Sequence, residues 1–301
     1  MKVVLLSGGV GGARFARGLV GAVPARDVTV IGNVGDDLEV LGVSVSPDLD
    51  SILYALAGLN DEERGWGRAG ETWEALATVS ALGGEDWFRL GDRDLGLHLV
   101  RTQALRGGQP LSAVTARLAS AFGIEATILP ATDHRLRTWL DTPAGSFPFQ
   151  EWFVARGHRD DVDAVRFEGD AHAAPGAIEA LDAAAAILIA PSNPYVSIWP
   201  ILAVPEIRAA LAARRVPSVA VSPLVGGRAV RGPADRMLAR MAGGTRPEHV
   251  AACYTGLIDA LVIDESDEPG PLEPRAVVTR TLMTDLDASR RLAEVVLEAA
   301  A

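Results

Sequence analysis

The sequence predicts an α/β protein in which a mostly parallel sheet is flanked by helices. Five short apolar or β-branched runs are typical of buried strands, the last of them the weakest: residues 3–6, 28–31, 186–190, 216–221 and 261–263. Amphipathic stretches of helical periodicity alternate with these runs: residues 14–22, 205–213 and 288–300. This alternation is typical of parallel strands joined by crossover helices. With 301 residues, 49% of them hydrophobic, the chain can bury a large core, and we expect one domain over residues 1–301.

The middle of the chain departs from this alternation. Four successive helical patterns occur there without an apolar strand between them: residues 50–59, 71–82, 94–105 and 111–122. We therefore expect a helical insertion at about residues 50–122, after the second strand. Strand-like runs then lie on either side of Pro143–Gly145, which predicts a hairpin.

Composition excludes several classes of function. Acidic residues outnumber basic ones by 39 to 28, and no Lys/Arg run alternates with aromatic residues, so we expect no nucleic-acid partner. A single cysteine, Cys253, excludes an internal disulfide. No apolar stretch approaches the roughly 20 residues that span a bilayer, and the first apolar run is too short for a signal sequence. We expect a cytoplasmic protein without a membrane partner.

Polar loops follow four of the predicted strands. They are the segments SGGVGG (7–12), GNVGDD (32–37), PSNP (191–194) and SPLVGG (222–227). In an open parallel sheet, ligands bind outside the carboxyl ends of the strands. Four such loops at one edge predict a ligand crevice there.

The first of these loops does not match the two common nucleotide-binding patterns. The dinucleotide pattern needs Gly or Ala where this chain has Arg14, and Asn33 stands where an acidic residue usually binds the ribose. The Gly-Lys-Ser/Thr of a P-loop is also missing. An NAD site and a Walker-type ATP site are therefore both disfavoured.

The loop still has the chemistry of an anion site. Small residues let a backbone approach a ligand, and the N-terminus of the following helix favours negative charge. We expect Arg14 in the first turn of that helix, where its guanidinium could reach a phosphate; a solvated arginine after a plain turn is the alternative. The glycines expected to bind the phosphates are Gly8, Gly9, Gly11 and Gly12.

Four aspartates follow closely in the sequence. Asp36 and Asp37 lie in one loop, and Asp48 and Asp50 in the next. One of the latter pair could simply cap a helix. Mg²⁺ prefers a few carboxylates together with substrate phosphates, so carboxylates near an anion-binding loop suggest a metal–diphosphate site.

Charged residues are also dense in the segment DWFRLGDRDLGLHLVRTQ (86–103). Asp94 could cap a helix, and His98 and Arg101 could be ordinary structural or surface residues. Spacing alone leaves these alternatives open.

Together these motifs resemble the CofD/FbiA family, whose transferases build the deazaflavin coenzyme F-420. The resemblance runs from residue 1 to about residue 285. It is carried by SGGVGGARF, NVGDD, SPDLDSILY, RGWGRAGETW, DWFRLGDRDLGLHLVRTQ, LPATD, FQEWFV, APSNPYVSIWPIL, VSPLVGG and TLMTD.

The resemblance implies a Rossmann-like α/β fold, a homodimer and Mg²⁺-dependent chemistry. A phospholactyl or phosphoenolpyruvyl group would pass from a guanosine diphosphate conjugate to the ribityl hydroxyl of the deazaflavin Fo, with release of GMP. By motif, Asp50 and Arg89 match Fo-contacting positions, and Asp36 and Asp48 match metal positions. The glycine loop and the PSNP loop, with Ser192 and Asn193, match the nucleotide side.

Chemistry adds roles to this assignment. Asp50 could orient or deprotonate the attacking hydroxyl. Arg14 or Arg93 could neutralise charge on the transferred group. The three-carbon unit, whether phospholactate, phosphoenolpyruvate or phosphoglycerate, stays open, with a weak preference for phosphoenolpyruvate. The main alternative is a non-catalytic nucleotide-sugar-binding regulator of the gluconeogenesis-factor type, and NAD-dependent oxidoreduction is the third possibility.

Overall fold

A computed structural model describes residues 1–301. The strands are β1 (Val3–Ser7), β2 (Val28–Gly32), β3 (Leu38–Val40), β4 (Val43–Val45), β5 (Thr127–Pro130), β6 (Arg137–Thr142), β7 (Gly145–Pro148), β8 (Ala164–Glu168), β9 (Ala186–Ile189), β10 (Ser218–Val221), β11 (Leu224–Val225), β12 (Arg228–Ala229), β13 (Ala260–Asp264) and β14 (Arg275–Thr279). The α-helices are α1 (Gly9–Ala22), α2 (Pro47–Ala57), α3 (Glu74–Ala81), α4 (Asp92–Arg106), α5 (Leu111–Ala121), α6 (Ala177–Asp182), α7 (Trp199–Leu202), α8 (Pro205–Ala212), α9 (Ala234–Met241), α10 (Pro247–Ala252) and α11 (Leu286–Ala299). Two π-helical turns cover Glu151–Ala155 and Pro194–Ile198, and a 3₁₀ turn covers Ala25–Asp27.

Seven strands form one parallel sheet in the order β14-β13-β10-β9-β1-β2-β5. The chain builds one half outward from β1 through β2 to β5, then returns to β9 on the other side of β1. The strand order therefore reverses between β1 and β9. In doubly wound sheets the crevice at this switch point is where ligands bind.

The sheet separates two hydrophobic cores. Along β1, Val4 and Leu6 belong to one core while Val3 and Leu5 belong to the other, which explains why the strand is an unbroken apolar run. Helices α1, α2, α5 and α11 contribute to the core that contains Leu5. Helices α6, α8, α9 and α10 contribute to the core on the opposite face.

The predicted alternation of strands and helices is confirmed, with differences at several ends. The five predicted strands correspond to β1, β2, β9, β10 and β13, and the predicted hairpin is β6–β7. The expected insertion of helices lies between β2 and β5 as α2 to α5. The first helix, predicted over residues 14–22, begins earlier, at Gly9, and so includes glycines of the predicted loop.

The structure adds elements that the patterns did not predict. Strands β5 and β14 complete the two ends of the parallel sheet, and the short hairpin β3–β4 precedes α2. Strands β6, β7 and β8 form a separate antiparallel sheet, so parallel and antiparallel pairing do not mix. No single helix has the length and apolar composition to cross a membrane; the segments Pro194–Leu202 and Pro205–Ala212 pass that test jointly but meet at 92°.

Gly18 sets how closely α1 packs on α11. A Cβ atom at this position would lie 2.8 Å from the Cβ of Ser289 and closer still to that residue's carbonyl group, which is backbone and cannot rotate away. We expect Gly18→Ala to lower the free energy of unfolding by about 1–3 kcal/mol, measured by urea denaturation.

Gly21, one turn further along α1, is the matched control. There the nearest atom to an added Cβ is Arg290 Cδ at 3.5 Å, an ordinary contact with a flexible side chain. Because alanine favours helix over glycine by about 1 kcal/mol, Gly21→Ala should be neutral or stabilising. Equal effects of the two substitutions would contradict this packing assignment.

Candidate active site

The carboxyl ends of β1, β2 and β9 bring the predicted loops together at the switch point. Gly8 follows β1, Asn33 follows β2 and Ser192 follows β9. The Ser192 hydroxyl donates to the Gly8 carbonyl over 2.7 Å, which joins the first and third of these loops across 184 residues of sequence. Loops from both halves of the sheet thus meet at one place.

Three of the four predicted glycines are required by contacts within the protein. A Cβ at Gly8 would lie 2.7 Å from Asp48 Oδ2, and one at Gly11 would lie 2.8 Å from the Pro191 carbonyl oxygen. At Gly12 it would lie 2.8 Å from the Ser192 hydroxyl. Gly9 differs, because its φ of +67° favours glycine for conformational reasons. Phosphate binding by all four stays a prediction.

Ser192 and Asn193 both support the local backbone. Asn193 Oδ1 accepts from the Tyr195 N–H over 3.0 Å and so caps the π-helical turn Pro194–Ile198. π-helical turns occur often at functional sites. The side chains of both residues thus hold the loop that faces α1, whatever ligand it binds.

Asn33 fixes the position of the Asp48 carboxylate. Its Nδ2 donates to Asp48 Oδ2 over 2.8 Å and to the Val196 carbonyl oxygen over 3.2 Å, and its Oδ1 accepts from the Gly35 N–H. Asn33 is fully buried. It stands at the end of β2 where dinucleotide-binding proteins have a ribose-binding acid, and here it connects α2 to the π-helical turn.

Burial raises the pKa values of three aspartates at the site, Asp36, Asp37 and Asp48. Burial, reinforced by the charge of Asp48, raises the pKa of Asp36 well above its usual range, and Asp36 Oδ1 has no hydrogen-bond partner. Burial raises the pKa of Asp37 to about 8, although Ser46 donates to its other oxygen. Burial raises the pKa of Asp48 to about 6, against hydrogen bonds from Asn33 and the Gly9 N–H. Such shifts mark candidate functional sites.

Asp37, which the family resemblance assigns to neither a metal nor a substrate position, lies beside the buried Asp36. Its Oδ1 is buried without a hydrogen-bond partner, as is Asp36 Oδ1. The backbone carbonyl of Asp37 accepts from Arg137 of β6, which draws the antiparallel sheet toward the site. Adjacent aspartates in the GDD segment were the available signal, but it could not tell which would be buried.

Asp50 is held by a buried arginine of α4. Arg101 Nη1 donates to Asp50 Oδ2 over 3.0 Å, and Arg101 Nη2 donates to Asp50 Oδ1. Burial lowers the pKa of the Arg101 guanidinium, but the Asp50 carboxylate raises it by more, so that it lies above its usual value. Both oxygens of Asp50 are therefore engaged, and a role in orienting a substrate suits it better than proton abstraction. That role stays a prediction.

A second layer lies beneath this pair. His98 Nδ1 is 3.2 Å from Arg101 Nη1, and His98 Nε2 is 3.3 Å from Asp94 Oδ1. The Tyr54 hydroxyl donates to the same Asp94 oxygen over 2.5 Å. Burial works against the Asp94 charge, yet its contacts with His98 and Tyr54 lower its pKa overall. Asp94 is therefore a member of the buried network.

The first turns of helices α3 and α4 are each capped by an acidic side chain from outside that helix. Asp92 accepts from the N–H of Ala75 over 3.0 Å, near the start of α3. Glu71 accepts from the N–H groups of Arg93 and Asp94 at the start of α4. The possibility that Asp94 caps α4 is thus wrong, because Glu71, from outside the helix, satisfies those amides.

None of the predicted arginines forms an ion pair with Asp36, Asp48 or Asp50. Arg14 is in the second turn of α1 rather than the first, because the helix starts at Gly9, and its Nη1 donates to the Met283 carbonyl over 3.4 Å. Arg93 is exposed at the start of α4. Arg89 is exposed, with its guanidinium carbon 4.9 Å from the centre of the Trp73 ring. Their roles toward substrate stay predictions.

Trp73 packs against Trp66, and both rings contact arginine side chains. The guanidinium carbon of Arg64 lies 4.9 Å from the Trp66 ring centre and 5.0 Å from that of Trp73. Arg231, from the loop after β12, donates to the Gly65 carbonyl over 3.0 Å. Segments that follow α2 and β12 thus meet beside the site.

The side chains contain no ready-made metal cage. No group of three or more His, Cys, Asp and Glu residues is arranged to hold an ion. Asp36 and Asp48 are nevertheless buried, mutually repelling carboxylates, and Asp36 has an unpartnered oxygen. A site of two carboxylates fits Mg²⁺, which usually keeps water and substrate phosphate among its ligands.

Comparison with known proteins assigns the family. A family model described as 2-phospho-L-lactate transferase CofD matches residues 3–299. The chain belongs to the CofD family. A phosphoenolpyruvate transferase from Streptomyces coelicolor is 44% identical over 310 residues, covering 99% of this chain and 97% of its own. One from Mycolicibacterium smegmatis is 38% identical over 323 residues, covering 100% and 99%. The family resemblance read from the motifs is confirmed.

Solved structures show that this CofD-family chain has a known fold. The crystal structure of a UPF0052-family protein from Bacillus halodurans matches it with a TM-score of 0.65, and the match covers 98% of each chain. A second crystal structure of a protein from that organism gives a TM-score of 0.66. Sequence identities of 16% and 17% limit this likeness to the fold. The predicted α/β fold with a parallel sheet is confirmed.

The raised pKa values predict how stability depends on pH. An aspartate with a folded pKa above its unfolded value of about 4 holds its proton more tightly in the folded state. Raising the pH between these two pKa values ionises the unfolded chain first, and the folded state therefore loses stability relative to it. We expect the ligand-free protein, in chelator, to lose stability as pH rises through the values of about 6 for Asp48 and about 8 for Asp37.

Asp37→Asn isolates one contribution to this dependence. Because an amide carries no charge to bury, this variant should gain up to a few kcal/mol over the original chain at pH 8.5 and little at pH 4.5, measured by urea denaturation. Asp170→Asn, at an exposed position, is the matched control and should shift neither value. An Asp37→Asn curve parallel to that of the original chain would contradict the assignment.

Proposed function

We propose that the chain transfers a phosphoenolpyruvyl or phospholactyl group from a guanosine diphosphate conjugate to the ribityl hydroxyl of the deazaflavin Fo, with release of GMP. Membership of the CofD family supports transferase chemistry. The structural observation that carries the proposal is the pair of buried carboxylates, Asp36 and Asp48, beside the N-terminus of α1 at the switch point of the sheet.

The donor diphosphate suits the start of α1. The first N–H groups of a helix have no partner within the helix, and together with the helix dipole they attract phosphate. Gly8 and Gly9 leave that end without side chains, and no acidic residue lies in the first turn. Asp48 is close enough to meet an added Cβ at Gly8, so a diphosphate held here would approach carboxylates.

Asp36 and Asp48 would hold the Mg²⁺ of the proposed reaction. When bound, the ion would neutralise charge on the diphosphate and on the departing GMP. It would also remove the repulsion between two desolvated carboxylates. Asn33 contributes by holding Asp48 in one orientation through its 2.8 Å hydrogen bond.

The transfer itself is mainly a matter of positioning. A bond forms between the ribityl oxygen and the β-phosphorus as the bond from that phosphorus to the GMP oxygen breaks. The bridging oxygen leaves with GMP, and the hydroxyl proton is released to solvent. Asp50, with both oxygens already bound by Arg101, would accept the hydroxyl hydrogen bond and orient the oxygen. Arg93 and Arg14 would add positive charge on approach of the donor, and Arg89 would contact Fo.

We favour phosphoenolpyruvate as the three-carbon unit. The relatives from Streptomyces coelicolor and Streptomyces griseus are both called phosphoenolpyruvate transferase, at 44% and 43% identity over nearly the whole chain. Phospholactyl and phosphoenolpyruvyl donors differ by two hydrogens, so substrate competition separates them better than any feature of the site.

Mass spectrometry of the product tests the proposal. The protein would be incubated with Mg²⁺, Fo and an equimolar mixture of phosphoenolpyruvyl and lactyl guanosine diphosphate conjugates. We expect a product 2 Da lighter than the phospholactyl adduct, together with stoichiometric GMP. Loss of donor without a new Fo adduct would contradict the proposal. Tight calorimetric binding of a UDP-sugar without Fo binding would favour the regulator alternative.

Asp48→Asn tests the metal assignment. We expect turnover to fall by at least about 100-fold, because an amide is a poorer ligand for a hard cation than a carboxylate. The melting temperature without ligand should be unchanged or higher, since a desolvated charge is removed. Asp170→Asn, which is exposed, should keep full activity. Near-normal turnover of Asp48→Asn would exclude Asp48 from the metal site.

A further inference from the structure

Arg101 is the most deeply buried charged group near the proposed site. Its relative exposure is 0%, and it lies in α4, fifty-one residues after its partner Asp50 in α2. The two terminal nitrogens of the guanidinium contact the two oxygens of the carboxylate. This is a two-point contact, which fixes the plane of a carboxylate as well as its distance.

Stability alone gives little reason for such a pair. Desolvation of two charges commonly offsets their attraction, so a buried ion pair contributes little net stability compared with apolar side chains of similar size. Arg101 Nε also lacks a hydrogen-bond partner, which adds to the cost of burial. The pair therefore calls for a role beyond holding α2 against α4.

His98 packs beside the Arg101–Asp50 pair and restrains both members. His98 contacts both members, with its Nδ1 3.2 Å from Arg101 Nη1 and 3.7 Å from Asp50 Oδ2. His98 is in turn flanked by Asp94, which accepts from the Tyr54 hydroxyl. A line of polar groups thus runs from Tyr54 to Asp50, with each side chain limiting the rotation of the next.

We propose that Arg101 is a positioning residue for the transfer, which fixes the Asp50 carboxylate so that its remaining lone pairs face the acceptor hydroxyl. This inference rests on the proposed function. A lysine at the same position would supply charge without the planar fork, and the carboxylate could then rotate. Misplacement of a substrate oxygen by about 1 Å can cost about 100-fold in rate.

A double-mutant cycle tests this role. Arg101→Lys should lower kcat by about 10- to 100-fold and raise KM for Fo, while calorimetric affinity for GDP stays within twofold of the original value. In the Asp50→Asn background, Arg101→Lys should cause less than a twofold further change, because the group through which it acts is already altered. Independent, multiplying losses in the cycle would overturn the proposal.

Arg214→Lys is the matched control, because it makes the same substitution in an arginine–aspartate pair away from the proposed site. Arg214 donates to Asp259 over 2.8 Å on the amino-terminal side of the sheet, and its side chain is 10% exposed. It should alter the melting temperature but leave kcat and both KM values unchanged. An equal loss of kcat in Arg214→Lys and Arg101→Lys would show a purely structural effect and overturn the proposal.

Tyr54→Phe extends the test if Arg101→Lys does not fold. It removes only the hydroxyl that donates to Asp94, and we expect a several-fold fall in kcat with unchanged GDP affinity. An unchanged kcat in that variant would count against the network. Assays of the unsubstituted chain distinguish failure of the proposed function from failure of the Arg101 role. If that chain forms no Fo adduct from any donor, the proposed function is refuted. If it is active but the losses in the double-mutant cycle are additive, only the role of Arg101 is refuted.

Discussion

The hydrogen bonds of Asn33 hold the proposed site together. One amide joins the end of β2, the first turn of α2 and the π-helical turn after β9, three segments that are distant in the sequence. The Ser192 hydroxyl closes the same arrangement from the β9 side by bonding to Gly8. Each of these two side chains joins at least two segments of the chain. The geometry around Asp48 therefore depends on a few short polar contacts at the carboxyl end of the sheet.

Those contacts bring together carboxyl groups whose burial favours the protonated form in the ligand-free chain. Asp36 and Asp48 are buried, and Asp37 is half-buried with its Oδ1 shielded from water. The pKa values of all three rise as a result. Binding of the cation of the proposed reaction would favour the ionised carboxylates. Asp50 is treated differently, because Arg101 neutralises it within the protein. The site therefore contains three carboxyl groups without an ion-pair partner and one, Asp50, that is ion-paired within the protein.

The parallel sheet and its crevice could be predicted from the sequence because they follow from short-range patterns. Apolar runs that end in Gly, Asn or Pro predict strands, and β1, β2, β9 and β10 confirm these strands; the loops after β1, β2 and β9 meet at one edge. Strand β14 carries the pattern RAVVT with an exposed face, so it lacked the continuous apolar run used to recognise the other strands. The start of α1 was missed because glycines are poor helix formers, and here tertiary contacts override that preference.

The pairing of side chains within the site could not be read from the sequence. Arg101 and Asp50 are far apart along the chain, and nothing in their spacing distinguishes a buried pair from two surface charges. The same holds for Glu71, which caps α4 from a preceding loop. These contacts depend on how the helices of the insertion pack, whereas Asp36 and Asp48 could be proposed because their motifs resemble those of the family.

The division of the protein by its sheet has a consequence for dynamics. α1 and α2 pack into one core and the π-helical turn into the other, and local opening of proteins often follows such packing units. A donor at the switch point would contact both layers at once. Its binding would then couple their opening, so that amide hydrogen exchange in α1 and in Pro194–Ile198 would slow together, although the two segments belong to different layers.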